Sequence, residues 1–452
     1  MKSQKSQKSL KGQLKVLTVP VFIEIALVML LGAVDTVMLS RYSDNSVAAV
    51  GLDNQLMSLI FLVYQFFSMG AAILCAQYIG ANLQKRLVQV VGVALLVNFF
   101  LGLSVSILLY FFAPQMLQLM GLRQELMGDG LVYLKITGAL SFFQALSLTF
   151  SASLRSAGKV VYPMTVTGIV NILNIFGNYV LIFGKWGFPQ LGVEGAAIST
   201  AISRAIATLL LATIHFRVHI PKFPFSYFRP FPWSEFKNLL HIGVPAMSEE
   251  LSYGLSQVAI TYFINKIGNE ALAARTYCVN IIMFVYLFCV SITQAGDILV
   301  GHLVGQLRHR AAFVLGNYFY HLALVVTLSA SAIMAIFGKP LFSMLTNNPD
   351  IISMGFWVLV VDLFLEYGRV SNIFACGTLR ATGDAVYPVI IGIIFQWSIA
   401  VGVSYVIGIP MGFGLIGMWV GFALDENIRG IILKRRWRSL KWTTKGFVKS
   451  AA

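Results

Sequence analysis

Twelve stretches of this chain, each about 20 residues or longer, are poor in charge and rich in apolar side chains. They run over 16–40, 47–78, 87–112, 127–153, 161–184, 191–216, 238–265, 270–304, 311–337, 351–378, 385–408 and 412–433. A segment in hydrocarbon must satisfy its own backbone polar groups, so only helices and closed barrels span a bilayer. The apolar runs are continuous and lack the period-2 alternation of a barrel strand. The expectation is therefore an all-α polytopic membrane protein with twelve transmembrane helices. Several stretches exceed the minimum length and must tilt or project. Composition agrees: 58% of the 452 residues are hydrophobic and 11% charged, whereas a soluble chain is about a quarter charged.

The formal charge is +15, but the basic residues fall between the apolar stretches and not in one patch. That makes them topology signals and argues against a nucleic-acid partner. With the N-terminus inside, the inner segments hold Lys2, Lys5, Lys8, Lys11, Lys15, Lys85, Arg86, Arg155, Lys159, Arg217, Lys222, Arg229, Lys237, Arg308, Arg310, Arg380 and seven more from Lys434 on. The outer segments hold only Arg41, Arg123, Lys185, Lys266 and Lys339. This bias places both termini in the cytoplasm of a cell with the chain in its plasma membrane. The apolar run from Val16 is too long for a cleaved signal peptide and reads as a first span.

The two halves match at a constant offset. Val19-Pro20 recurs as Val244-Pro245, Glu24 as Glu249, Ala48-Ala49 as Ala273-Ala274, and Gly80 as Gly305. Leu154-Arg155 recurs as Leu379-Arg380, Gly158 as Gly383, and Val161-Tyr162-Pro163 as Val386-Tyr387-Pro388. Gly192 and Gly195 pair with Gly414 and Gly417 after a small slip. Each repeat holds an even number of spans, six, so the two are parallel repeats. The chain then reads as a basic N-tail (1–15), a six-helix lobe (16–216), a cytoplasmic linker (217–237), a second six-helix lobe (238–433) and a basic C-tail (434–452). Two such lobes suit transport, with substrate between them and alternating access by rocking.

Charges inside spans are expensive and are functional candidates. In the first lobe Asp35 in span 1 and Asn178 in span 5 both lie roughly 26–27 Å from the cytoplasmic end at 1.5 Å per residue. Asn174 is one turn from Asn178, and Thr200 or Tyr179 is available to the same group. A carboxylate among amides can take up a proton or a cation, so Asp35, Asn174, Asn178 and Thr200 form a candidate coupling-ion site. The competing reading is a hydrogen-bonded cluster joining spans 1 and 5. In the second lobe Glu249 and Glu250 follow Pro245, while Asp362, Glu366, Arg369 and Asn372 share one face of span 10. A Glu249–Arg369 network is expected there, coupled to an ion or structural. Asp297, Arg204, Arg275 and Lys135 have no evident partner. Asp425, Glu426 and Arg429 read as a local helix pair, and Glu24 as functional or as a cap on the cytoplasmic vestibule.

Other patterns are weak. Cys75, Cys278, Cys289 and Cys376 lie in apolar runs without disulfide or metal spacing. His215 and His219 are one turn apart without further ligands, so no metal is expected. No phosphate-loop lysine motif occurs, nor a catalytic constellation, so neither an ATP-driven pump nor an enzyme is expected. Cofactors are none beyond a coupling ion, H⁺ or Na⁺, and the chain is expected to work as a monomer.

In order along the chain come Pro20 and Val34-Asp35-Thr36, Ala48-Ala49-Val50-Gly51, Ala76-Gln77-Tyr78-Ile79-Gly80-Ala81, Leu154-Arg155-Ser156-Ala157-Gly158, and Asn174 with Asn178-Tyr179. Gly192-Val193-Glu194-Gly195, Gly243-Val244-Pro245, Ala273-Ala274-Arg275, Leu303-Val304-Gly305 and Gly377-Thr378-Leu379-Arg380-Ala381-Thr382-Gly383-Asp384 follow. In this order they resemble the multidrug and toxic compound extrusion family. The resemblance implies an antiporter that exports organic cations and amphipathic compounds in exchange for H⁺ or Na⁺. It sets Asp35 at the family's span-1 acid and Asn174 at a span-5 Asn. Asn178 stands where some prokaryotic members have Asp, and Arg369 where other branches carry a span-10 Asp. Glu249 is close to the span-7 Glu of those branches. Two alternatives remain: a lipid-linked sugar flippase of the same superfamily, which calls for a cavity dense in Arg or Lys, and a polytopic receptor or membrane-embedded enzyme.

Overall fold

The computed structural model describes residues 2–448, with side chains from Leu10 on, and is helical nearly throughout. The side chains of Lys2, Lys5 and Lys8 and the C-tail residue Lys449 lie outside the described residues. The helices are α1 Lys2–Ser40, α2 Asp44–Gly80, α3 Gln84–Leu119, α4 Met127–Ala139, α5 Phe142–Ser156, α6 Val161–Phe183, α7 Val193–Ile214 and α8 Trp233–Ile267. They continue as α9 Asn269–Gly305, α10 His309–Ile336, α11 Gly338–Ser343, α12 Pro349–Ala381, α13 Val386–Phe395, α14 Ser404–Gly408 and α15 Gly414–Arg438. Among the described residues nine helical segments are long and apolar enough to cross a bilayer, or ten with α4 and α5 taken as one bent span. The two that complete the twelve, α8 and α15, have the length but carry polar residues that line a cavity.

By spatial proximity the chain forms two compact units. One is Ile23–Gly243; the other runs from Val244 onward and includes the residues up to Phe22. In the first unit, part of the segment after α7 packs back on α3. Gly92 leaves the space that the Phe228 ring fills, since a Cβ there would sit 2.1 Å from that ring. Glu235 at the start of α8 takes a hydrogen bond from Tyr78 at 2.6 Å and pairs with Arg86 at 2.7 Å.

Three spans are not continuous α-helix among the described residues, and the sixth ends in a π-helical turn, His215–His219. The fourth bends by 47° between α4 and α5. At the break Phe142 N–H donates to the Ser106 hydroxyl at 3.2 Å, and Ser141 hydrogen-bonds Tyr64 at 2.8 Å. The side chains of α2 and α3 thus take up polar groups that a bend sets free. The eleventh span passes through a π-helical segment, Gln396–Val403. Polar side chains also tie helices within the first unit: Asn98 of α3 donates to Thr149 of α5 at 2.7 Å and to Ser68 of α2 at 3.1 Å. In hydrocarbon such bonds join helices that hydrophobicity cannot sort. Large apolar side chains such as Phe111, Ile172, Val258 and Phe364 are exposed, as lipid contact permits.

The repeat is written in the backbone as well as in the side chains. Asn82 and Leu307, at the same place in the two copies, both adopt a left-handed φ of 58°. Gly158 and Gly383 also match, at 72° and 97°, as do Gly192 and Gly414, at 56° and 57°. A leucine in that region is uncommon, so the turn after α9 keeps the geometry of the turn after α2 although its residue does not favour it.

Candidate functional site

The first candidate site lies wholly in the first unit. Asp35 stands near the end of α1, Asn174 and Asn178 on α6, and Thr200 on α7. Close approach of α6 and α7 brings the set together: a Cβ on Gly177 would meet the Ser199 hydroxyl at 2.5 Å. The Asn178 amide N–H donates to Asp35 Oδ1 at 2.7 Å and to Asn174 Oδ1 at 3.1 Å, and the Asn174 amide donates to Thr200 Oγ1 at 3.4 Å. Asp35, Asn178 and Thr200 line a cavity of about 100 Å³ together with Asn54 and Tyr133. Both asparagines are buried. The carbonyl oxygen of Asn178 is buried without a hydrogen-bond partner among the described residues. Tyr179, the alternative to Thr200, is an exposed residue that does not line the cavity.

Three nearby residues escaped the sequence reading of this site. Tyr133 of α4 and Asn54 of α2 close the cavity, with the Tyr133 hydroxyl 3.5 Å from Asn54 Oδ1. Asp53, next to Asn54, is fully buried, and neither carboxyl oxygen has a partner among the described residues. The available signal was a lone acid in the otherwise apolar stretch 47–78. Arg204 lies over the Phe61 ring at 5.1 Å.

The second candidate site belongs to the second unit. A cavity of about 430 Å³ is lined by α8, α9, α12, α15 and the π segment. Glu249, Glu250, Arg369 and Asn372 reach it, as the sequence suggested. Arg275, Asp425, Glu426 and Arg429 also line it. Arg369 pairs with Glu366 one turn earlier on α12. Asp362 does not join that pair by a hydrogen bond; it accepts one from the Trp419 indole of α15 at 3.1 Å. The expected link from Glu249 to Arg369 is not made. Glu249 pairs with Arg380 instead, because that arginine lies at the C-terminal end of α12 facing α8. Asp425, Glu426 and Arg429 are more than a local helix pair. Arg429 contacts Asp425 at 2.5 Å and Glu426 at 3.2 Å, while Asn372 donates to Glu426 at 2.8 Å and binds α12 to α15. Arg275 also finds partners, donating to Thr261 at 2.5 Å and to Gln257 at 3.0 Å.

The Glu249–Arg380 pair has a twin. Glu24 of α1 pairs with Arg155 of α5 at 3.4 Å. Both residues of each pair occupy matching repeat positions, so each unit ties its opening helix to the end of a later one by the same Glu–Arg contact. Of the remaining in-span charges, Asp297 packs against Gly377, with one carboxyl oxygen unpartnered among the described residues. Lys135 lies 5.9 Å from the Tyr110 ring. The four cysteines are buried and free. His215 and His219 face each other at 5.2 Å between ring centres, and the described residues hold no group of three metal-ligating side chains.

Twelve membrane-spanning helices in two copies of one unit, each enclosing a polar cavity, define a polytopic membrane transporter fold. The MatE family profile matches residues 20–180 and 245–406, one match in each repeat. The chain belongs to this family of multidrug and toxic compound extrusion transporters. An uncharacterized transporter, YisQ of Bacillus subtilis (strain 168), is 42% identical over 95% of this chain and 94% of its own. A probable multidrug resistance protein NorM of Thermotoga maritima is 29% identical over 96% and 93%. The crystal structure of the Vibrio cholerae MATE transporter VcmN in the bent form shares the fold, with a TM-score of 0.89 at 18% identity over 96% of this chain and 98% of that one.

Proposed function

We propose that this transporter is a secondary antiporter that exports organic cations and amphipathic compounds by alternating access of its two lobes, driven by proton entry through Asp35. The observation that carries the reading is the hydrogen-bonded run Asp35–Asn178–Asn174–Thr200 around its cavity. In the arrangement described, Asp35 accepts from Asn178. A proton on Asp35 would weaken that acceptor and add an O–H donor beside it. The Asn178 carbonyl oxygen, buried and without a partner among the described residues, is then the acceptor within reach once the amide turns. Each protonation would thus change the hydrogen bond that joins α1 to α6. The relatives named as multidrug resistance proteins support drug-like cargo. The skew of basic residues supports both termini in the cytoplasm and the plasma membrane as location. One chain holds both repeats and suffices as the working unit. The fold implies transport rather than catalysis.

The test is dye efflux in everted vesicles with H⁺ and Na⁺ gradients imposed separately. The expected result is efflux driven by the pH gradient and lost in Asp35→Asn. Full gradient-driven transport by that variant in proteoliposomes overturns the reading, and drive by Na⁺ alone replaces the proton by that ion. The flippase alternative required a cavity dense in basic groups. Three arginines do line the larger cavity, but two of them are paired with carboxyl groups, which disfavours holding a pyrophosphate.

A further inference from the structure

Matching repeat positions differ in one place where the first unit uses an acid. Glu235, at the start of α8, is held by Tyr78 of α2 and Arg86 of α3, and the Asn238 amide donates to it at 3.3 Å. At the constant offset of the repeat, Leu10 of α1 stands in the place of Glu235 and Gln13 in the place of Asn238. Leu14 and Leu239 also match, and both are fully buried, so α1 and α8 enter their units in the same register. A leucine brings no carboxylate. In the second unit this place is a cavity of about 250 Å³, lined by Leu10, Gln13 and, from α9, Leu303 at the repeat position of Tyr78.

The rest of the wall offers donors and a positive charge. Gln306 and Arg308 line the cavity, and no acid does. Arg308 makes no ion pair among the described residues. It is also the residue from which α10 starts. No side-chain hydrogen bond caps that start, and the first turn of α10 holds no acid. An uncapped helix start presents backbone donors and the positive end of the helix dipole, which favours an anion. Where the first unit fills the place with its own carboxylate, the second presents an arginine and two amides with no anion of the chain to answer them.

A guanidinium with amide donors suits a phosphate group, which takes several charge-assisted hydrogen bonds at once. The surroundings indicate its source. Arg308 belongs to the segments whose basic excess marks the cytoplasmic face, where anionic lipid headgroups attract basic side chains. Val16 and Val19, about one and two turns beyond Gln13 on α1, are 67% and 58% exposed. They give an acyl chain an apolar track next to the cavity.

We propose that this cavity binds the phosphate of an anionic phospholipid from the cytoplasmic leaflet, seated on Arg308 and Gln13. The lipid does for α1 and α9 what Glu235 does for α8, α2 and α3: it ties an opening helix to the elements behind it. The proposal is independent of the cargo and of the coupling ion.

The experiment titrates the purified full chain in detergent with dioleoylphosphatidylglycerol, dioleoylphosphatidylcholine or inorganic phosphate. Bound lipid is counted by native mass spectrometry, and the thermal midpoint is read in parallel. Phosphatidylglycerol is expected to bind about tenfold or more tighter than phosphatidylcholine and to raise the midpoint. Arg308→Gln is expected to remove that preference, and Arg308→Lys to retain part of it. Lys441→Gln, at an exposed basic residue elsewhere on the chain, is expected to leave it unchanged. Leu10→Glu supplies the acid that the first unit has; it should raise the midpoint without lipid and abolish the response to phosphatidylglycerol. A preference that survives Arg308→Gln, or that Lys441→Gln lowers as much, is general attraction to a basic surface and overturns the proposal. Binding of inorganic phosphate without a preference between the two lipids overturns it as well.

Discussion

The twin Glu–Arg contacts allow a quantitative test, because the same pair occurs twice in different surroundings. The perturbation is Arg155→Met or Glu24→Gln in the first unit, and Arg380→Met or Glu249→Gln in the second. The side chains of Arg155 and Glu24 are 23% and 9% exposed, and those of Arg380 and Glu249 are 13% and 17% exposed. Removing one partner of a buried pair costs roughly 3–5 kcal/mol, most of it from the charge left behind. Partial exposure sets the value here toward the lower end, about 3 kcal/mol for loss of an arginine. The glutamate variants should cost less. Arg155 and Arg380 both lie in the last turn of a helix, α5 and α12, where the helix C-terminus stabilises a lone cation by about 0.3–1 kcal/mol. A lone Glu24 or Glu249 has no such support. The double variant in each unit should recover part of the loss, with a coupling of roughly 1–3 kcal/mol. Thermal unfolding of the purified protein in detergent, read as midpoint order, is the assay. The order expected in both units is unaltered protein, then double or glutamate variant, then arginine variant. Double variants that fall by the sum of the singles, or glutamate variants less stable than arginine variants, would refute the reasoning.

Two further outcomes follow from close contacts. Gly377→Ala places a methyl group 2.2 Å from Asp297 Oδ2 and should lower stability by about 1–3 kcal/mol as overpacking; Asp297→Ala in the same chain should restore the thermal midpoint. Trp419→Phe keeps the ring but takes from Asp362 its 3.1 Å donor, which should cost about 1–3 kcal/mol. Trp419→His, which retains a ring N–H, should cost less by the same thermal measurement.

The long apolar runs made the fold legible, since a membrane leaves helices as the only open-ended solution. The repeat was legible because Pro, Gly, Glu and Arg keep register where apolar residues do not discriminate. Depth along a helix sufficed to bring Asp35 and Asn178 together, because rise per residue is fixed and both depths were counted from the same expected membrane side. Partners in the second lobe were not legible in the same way. Glu249 matched Arg369 in depth, but depth says nothing of the angle at which two helices face each other, and Arg380 had the right angle. The paired offset already held the answer: Glu24 and Arg155 recur together, as do Glu249 and Arg380, and two residues retained together in a repeat are candidates for contact. The bend between α4 and α5 lacks a proline, and the polar groups that stabilise it come from α2 and α3. A residue such as Asp53 is invisible to charge counting, which sees a single acid and not its surroundings.

The two units share what holds each of them together and differ in what each encloses. The left-handed turns at Asn82 and Leu307 and the Glu–Arg contacts are common to both. The cavities are not: one of about 100 Å³ set with an acid and amides, one of about 430 Å³ set with three arginines and several acids. The repeat has retained its turns and its ties while changing its cavity chemistry. An ion needs few ligands and little room, which suits the Asp35 cavity. An organic molecule needs room, aromatic wall and charges spaced apart, which suits the cavity around Tyr253. This contrast supports the proposal that energy coupling takes place at the Asp35 cavity. Substitutions at Asp35 should therefore change the driving of transport, read as dye efflux under imposed H⁺ or Na⁺ gradients, without changing which dyes are exported; a changed dye preference in Asp35→Asn would refute the separation.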